Sequence, residues 1–108
     1  MDLKKMFEAL ARSPDLRPFR NLVEPLEAHD REHGGDLVRT LRTFFSANAN
    51  ASEAADRLYL HRNSLTYRLS RIQELTALDL KDHRVRLALQ LGLLAATERS
   101  TTDEDERP

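Results

Sequence analysis

The sequence has no cysteine and no tryptophan, and it holds only three glycines, four prolines, four Phe and two Tyr in 108 residues. Without cysteine there is no disulfide framework and no thiolate metal site, which argues against a small secreted scaffold and fits a reducing, cytoplasmic compartment. With so few aromatics, the core must be built chiefly from Leu and Ala. Long hydrophobic runs are also missing. The longest, Leu91 to Ala96 (LGLLAA), is far below the roughly 20 residues of a membrane span, and the opening MDLKKMFEAL has no signal-peptide core. No membrane partner is expected. Neither sign of charge dominates: 17 Lys and Arg stand against 18 Asp and Glu, a formal net charge of −1. No nucleophile with a base, phosphate loop or carboxylate pair occurs at a useful spacing, so no catalytic residue, cofactor or metal is expected, and an enzyme is the weakest reading.

What the chain does have is a sharp internal segregation of charge. From Arg57 to Ile72 every charged residue is an arginine (Arg57, Arg62, Arg68, Arg71), whereas Thr97 to Pro108 carries Glu98, Asp103, Glu104, Asp105 and Glu106 against two arginines. Distribution therefore says more than the sum. The length and composition fit one soluble domain, and periodicity makes it all-α, a small helical bundle. Leu3, Met6, Phe7 and Leu10 form the stripe of a short, loosely docked helix within residues 1–14. Pro14, Pro18 and Pro25 restrict Leu16 to Val23 to a short helix, and Pro25 suits the first turn of another, Glu24 to His33. Gly34 and Gly35 stop it, and Asp36 is the expected N-cap of the strongest stripe, Leu37, Val38, Leu41, Phe44 and Phe45.

Asn50 with Glu53 makes a capping box for a helix carrying Ala54, Ala55 and Leu58. After a turn at Tyr59 to His61, a second helix runs to about Leu75 with Leu65, Leu69 and Ile72 on its buried side. A last helix, about Asp82 to Glu98, wins over a strand on length and Ala/Leu/Gln content, although its leucines alternate with period two; Leu87, Leu91 and Leu94 are assigned to the core. The domain proper is residues 15–96, and 97–108 reads as an acidic flexible tail.

Two short helices about a tight turn, within about residues 50–75, have the form of a helix-turn-helix. The second helix turns Asn63, Tyr67, Ser70 and Glu74 outward, with Thr66 and Arg71 beside them and Arg62 and Arg68 on the shoulders. Such a helix suits the major groove of double-stranded DNA: polar groups meet base edges, and guanidiniums reach phosphates. His61 starts the helix and can touch phosphate, and Ser64 adds a hydroxyl. The candidate DNA-binding set is therefore His61, Arg62, Asn63, Ser64, Thr66, Tyr67, Arg68, Ser70 and Arg71. The bland alternative is a solvated basic face on a helical protein-interaction module that keeps the fold without binding DNA; internal pairing of Arg68 or Arg71 with Asp56 or Glu74 would suit it. His29 and His33, four apart in HDREH, lack a third ligand and a correctly placed Glu, and are assigned structural roles.

The stretch NASEAADRLYLHRNSLTYRLSRIQELTALDL resembles the C-terminal DNA-binding domain of PucR-type transcriptional regulators, the group that includes the sugar-diacid regulators, and more distantly the two-helix unit of Fis-type nucleoid proteins. The family run HRNTLxYRLxRIxELTGxDL is matched by His61, Arg62, Asn63, Leu65, Tyr67, Arg68, Leu69, Arg71, Ile72, Glu74, Leu75, Thr76, Asp79 and Leu80. Upstream, Leu26, Asp30, His33, Gly34, Leu37, Thr40 and Leu41 stand in matching places. Ser64 replaces the usual Thr, Ala77 the usual Gly, and Tyr59 holds a turn position that favours Gly or Asn. The resemblance implies a sequence-specific DNA-binding module; because a single helix-turn-helix buries only a small interface, a homodimer reading two half-sites about one helical turn apart is expected. Family members carry a ligand-sensing region before this domain; no counterpart is present in the 108 residues, which is consistent with a free-standing regulator or an excised domain.

Overall fold

The computed structural model describes the backbone of residues 1–105 and the side chains of residues 1–97. Among the described residues six helices follow one another: α1 (Leu3–Ala11), α2 (Arg17–His33), α3 (Leu37–Ser46), α4 (Ala51–Arg57), α5 (Arg62–Thr76) and α6 (His83–Asp105), with a 3₁₀ turn at Pro14–Leu16. No strand occurs among the described residues, so the fold is the expected all-α bundle. Of the tail assigned to residues 97–108, the side chains beyond Thr97 and all of 106–108 lie outside the described residues.

Where the sequence places a break at Pro25, the structure has one continuous helix, α2, with Pro25 inside it. A proline there forfeits one backbone hydrogen bond, at roughly 3 kcal/mol. Two effects offset that loss. Val23 and Leu26, on either side of the proline, are fully buried, each contributing about 1.5–3 kcal/mol. Arg20 forks onto both carboxylate oxygens of Glu27 and lies 3.5 Å from Glu24, tying together the turns that flank Pro25. Pro18, by contrast, sits in the first turn, where its missing N–H costs nothing.

The main core gathers Val23 and Leu26 of α2, Leu37 and Leu41 of α3, Ile72 of α5, Leu80, and Leu89 and Leu93 of α6. A second cluster, Phe44, Ala47, Ala54, Ala55 and Leu65, joins α3, α4 and α5. The buried side of α6 is not the one the alternating leucines suggest. Leu89, Gly92, Leu93 and Ala96 face inward with helical spacing, Leu91 and Leu94 are half-buried, and Leu87 is 59% exposed. The most extensive helix pairing, α2 against α6, rests on Gly92, where a Cβ would run into the Phe19 carbonyl oxygen and lie 3.0 Å from Val23 Cγ2. Arg42 bridges the remaining layer by donating to the Leu93 carbonyl at 3.2 Å; burial pushes its pKa down, with Glu27 opposing.

Helix α1 lies on α6. Its one buried residue is Ala11, and the apolar stripe Leu3, Met6, Phe7 and Leu10 stays 40% to 58% exposed.

Candidate nucleic-acid interface

The helix-turn-helix is built from α4 and α5. Asn50 caps α4 by accepting from the Glu53 amide at 3.0 Å. The reciprocal half of the capping box is replaced: the Glu53 carboxylate takes Arg57 at 2.6 Å. Ala54 and Ala55 are buried against Leu65 and Phe44, so their small side chains let α5 cross closely. Between the helices Tyr59 adopts φ 56°, with its ring almost fully exposed. The Leu60 amide returns to the Ala55 carbonyl at 2.9 Å and closes the turn.

His61 is the N-cap of α5. Its Nδ1 accepts from the Asn63 amide at 3.0 Å, leaving Nε2 available to an outside partner. Leu65 and Ile72 are fully buried, and Leu69 packs against both core clusters. Those three side chains fix the rotation of the helix. His61, Arg62, Asn63, Ser64, Thr66, Tyr67 and Ser70 are thereby exposed, with Tyr67 at 71%. The Thr66 hydroxyl donates to the Arg62 carbonyl at 3.0 Å, so its donor is already used within the helix.

Arg68 and Arg71 are half-buried, and each is held. Arg71 contacts Glu74 at 3.0 Å, one of the two internal partners the sequence offers. Arg68 reaches neither acid; its guanidinium donates to the hydroxyl of buried Thr40 at 3.3 Å, and that hydroxyl donates to the Asp36 carbonyl at 2.7 Å. Arg62 forms no ion pair among the described residues. One shoulder of α5 thus carries an unengaged arginine, and the other turns toward the corner between α2 and α3.

That corner adds residues which the local pattern gave no reason to select. Asp36 occupies the N-cap position of α3 but makes no side-chain cap. Asp30, from the last turns of α2, caps α3 instead, accepting from the Leu37 and Val38 amides at 2.9 and 3.1 Å. Gly34, with φ 64°, ends α2 and turns the chain back. The rings of His29 and His33 lie against each other, centroids 4.6 Å apart and tilted by 45°. His29, Gly35, Asp36 and Leu60 then line an open concavity beside Asn63, Ser64, Tyr67, Arg68 and Arg71. Only a contact between distant segments could reveal it. No group of three or more metal-ligating side chains is found among the described residues, and no helix among them is long and apolar enough to cross a membrane.

Residues 37–95 match the family model described as the PucR C-terminal helix-turn-helix domain. This chain belongs to that family. It is 39% identical over 95 residues to the proline-responsive transcriptional activator PutR of Bacillus subtilis (strain 168), covering 87% of this chain and 23% of that protein. To the DNA-binding transcriptional activator AdeR of the same organism it is 37% identical over 71 residues, 66% of this chain and 17% of AdeR. To the carbohydrate diacid regulator of Escherichia coli (strain K12) it is 43% identical over 68 residues, 63% of this chain and 18% of that protein. The chain spans about a quarter or less of these relatives. No solved structure matches it.

The PucR-type domain departs from its family run at residues whose geometry is now visible. Ser64 keeps an exposed hydroxyl. Ala77 caps α5 in the left-handed region, φ 58° and ψ 30°, a conformation that costs a Cβ-bearing residue roughly 1 kcal/mol and glycine almost nothing. Ala77 is exposed, so little packing is lost on truncation. Ala77→Gly is expected to raise unfolding free energy by about 1 kcal/mol in urea denaturation, with an unchanged denaturant slope; a loss of stability would show that the methyl is needed.

Proposed function

We propose that this domain is a non-enzymatic, sequence-specific DNA-binding module of a transcriptional regulator, with the N-terminal half of α5 lying in the major groove. The observation that carries this reading is the rotation of α5. Three aliphatic anchors leave an amide, hydroxyls, a phenol and an arginine with no ion pair among the described residues on one exposed face whose first three turns hold no carboxylate. Asn63 would read a base edge, and Arg62 a phosphate; His61, Ser64, Thr66, Tyr67 and Ser70 flank them, while Arg68 and Arg71 face the strand on the far shoulder. Glu74, outward on the last turns, would be repelled by phosphate and limits insertion to the beginning of the helix.

A single helix-turn-helix offers a small interface, so two copies on half-sites one helical turn apart complete the proposal. In this reading residues 15–96 form the DNA-binding unit, residues 1–14 an accessory helix and 97–108 an acidic tail, and an effector-sensing region belongs to a longer regulator. Sites selected from random duplexes test it. Retention should fall steeply with salt; Asn63→Ala should relax base preference, while Arg62→Ala should weaken all sequences alike and reduce the log–log salt slope by about 1. No retained duplex at low salt would favour the interaction-module alternative, and sedimentation of a monomer on operator DNA would remove the dimer.

A further inference from the structure

A helix seated in the major groove has a phosphate strand on either side of it. On one side of α5 stands Arg62. On the other, the surface does not end at the helix but continues into the concavity of about 540 Å³ between α5 and the α2–α3 corner. Arg68 and Arg71 are among the residues of its wall. His29 contributes a ring whose Nδ1 is buried with no hydrogen-bond partner among the described residues. Gly35 keeps the mouth open: a Cβ there would sit 3.2 Å from Asp30 Oδ1 and 3.7 Å from His29 Nδ1.

Asp36 lines this space and Asp30 lies beside Gly35 at its edge, and the two carboxylates differ in state. Asp30 has both oxygens committed to the amides of Leu37 and Val38. Asp36 is exposed and makes no cap bond, so its charge is the one that an incoming anion meets. We infer that the concavity is a second contact site, outside the helix-turn-helix, that seats a phosphodiester of the DNA strand running past the Arg68–Arg71 shoulder, with Asp36 as a built-in brake on its affinity. A phosphate at the mouth meets Arg68, which is held by the Thr40 hydroxyl at 3.3 Å, and Arg71, which it shares with Glu74 at 3.0 Å, while the exposed carboxylate of Asp36 opposes it. Removing the carboxylate therefore strengthens binding, an outcome that ordinary damage to the fold does not imitate.

The inference rests on the DNA reading above, and the experiment separates the two. Duplex affinity and its salt dependence are measured on the full chain for wild type, Asp36→Asn, Asp36→Lys and Asp15→Lys; the last makes the same charge change at an exposed residue near the chain start, on a turn that packs against α2 and α6. Asn remains a good residue for an N-cap position. Asp36→Asn should tighten binding about threefold, and Asp36→Lys more than about tenfold, with a log–log salt slope steeper by about 1. Asp15→Lys should change affinity by less than about twofold, because Asp15 belongs neither to the concavity nor to the helix-turn-helix. If wild type binds duplex and the two lysine variants tighten binding equally, the phosphate seat is wrong and the groove reading survives. If wild type binds no duplex, both fall.

Discussion

Gly92→Ala should lower the thermal midpoint of the domain, by about 10 °C or more, although alanine is the better helix former. In an exposed helix interior the exchange would gain about 1 kcal/mol. At Gly92 the added methyl meets the backbone carbonyl of Phe19 and sits 3.0 Å from Val23 Cγ2. A side chain can rotate away from such a clash; a carbonyl in the first turns of α2 can yield only if the helix moves. Overpacking of this kind costs about 3 kcal/mol or more, so the steric term outweighs propensity and leaves a net loss of roughly 2 kcal/mol. At about 4–8 °C per kcal/mol for a domain of this size, that is the predicted shift in a calorimetric or circular-dichroism melt. A rise in midpoint would mean that α2 and α6 lie farther apart than described. Since that pairing carries Val23, Leu89 and Leu93 of the main core, Gly92→Val should unfold the chain outright.

Asn63→Asp is expected to move stability and DNA binding in opposite directions. The side chains are nearly the same shape, and the Asn63 amide would still donate to His61 Nδ1. A carboxylate in the first turn of α5 interacts favourably with the helix dipole, by about 0.3–1 kcal/mol, so the melt should rise slightly. In the groove the same carboxylate replaces a group able to pair with adenine and faces phosphate on both sides. The loss of a base contact worth about 1–3 kcal/mol, together with an uncompensated charge, amounts to about 100-fold or more in affinity. Gln90→Glu, the same charge change on an exposed position of α6, should leave binding within about twofold. A folded Asn63→Asp that binds like wild type would remove α5 from the interface.

How much of this was legible in the sequence depended on the range of the cause. Local rules carried the helix-turn-helix well: the Asn50 cap, the small residues Ala54 and Ala55, and the spacing of Leu65, Leu69 and Ile72 each act within one or two turns, and they fix which side of α5 faces out. The left-handed Ala77 was legible too, because glycine's usual place there implies it. Pro25 misled, since propensity counts the lost backbone bond but not Val23, Leu26 and the Arg20–Glu27 pair that offset it. The leucines of α6 misled in another way. Their alternation is a property of the string, whereas the buried side includes Gly92, where a Cβ would run into the Phe19 carbonyl of α2. The helical wheel places Arg68 on a shoulder of α5, but its bond to Thr40 depends on a residue 28 positions earlier in the chain. The capping of α3 by Asp30 and the concavity at the α2–α3 corner have the same origin: both require the tertiary approach of segments that no periodicity links.

The central claim, that α5 presents a DNA-reading face, is tested most directly by titrating the isotopically labelled chain with a duplex selected from a random pool and following the backbone amide resonances. The account predicts that the largest changes fall on residues 61–71, with a second group at 34–37, while α1 and the exposed face of α6 stay where they were. Changes concentrated on α1 and α6, with the amides of Arg62, Asn63 and Tyr67 unmoved, would contradict it.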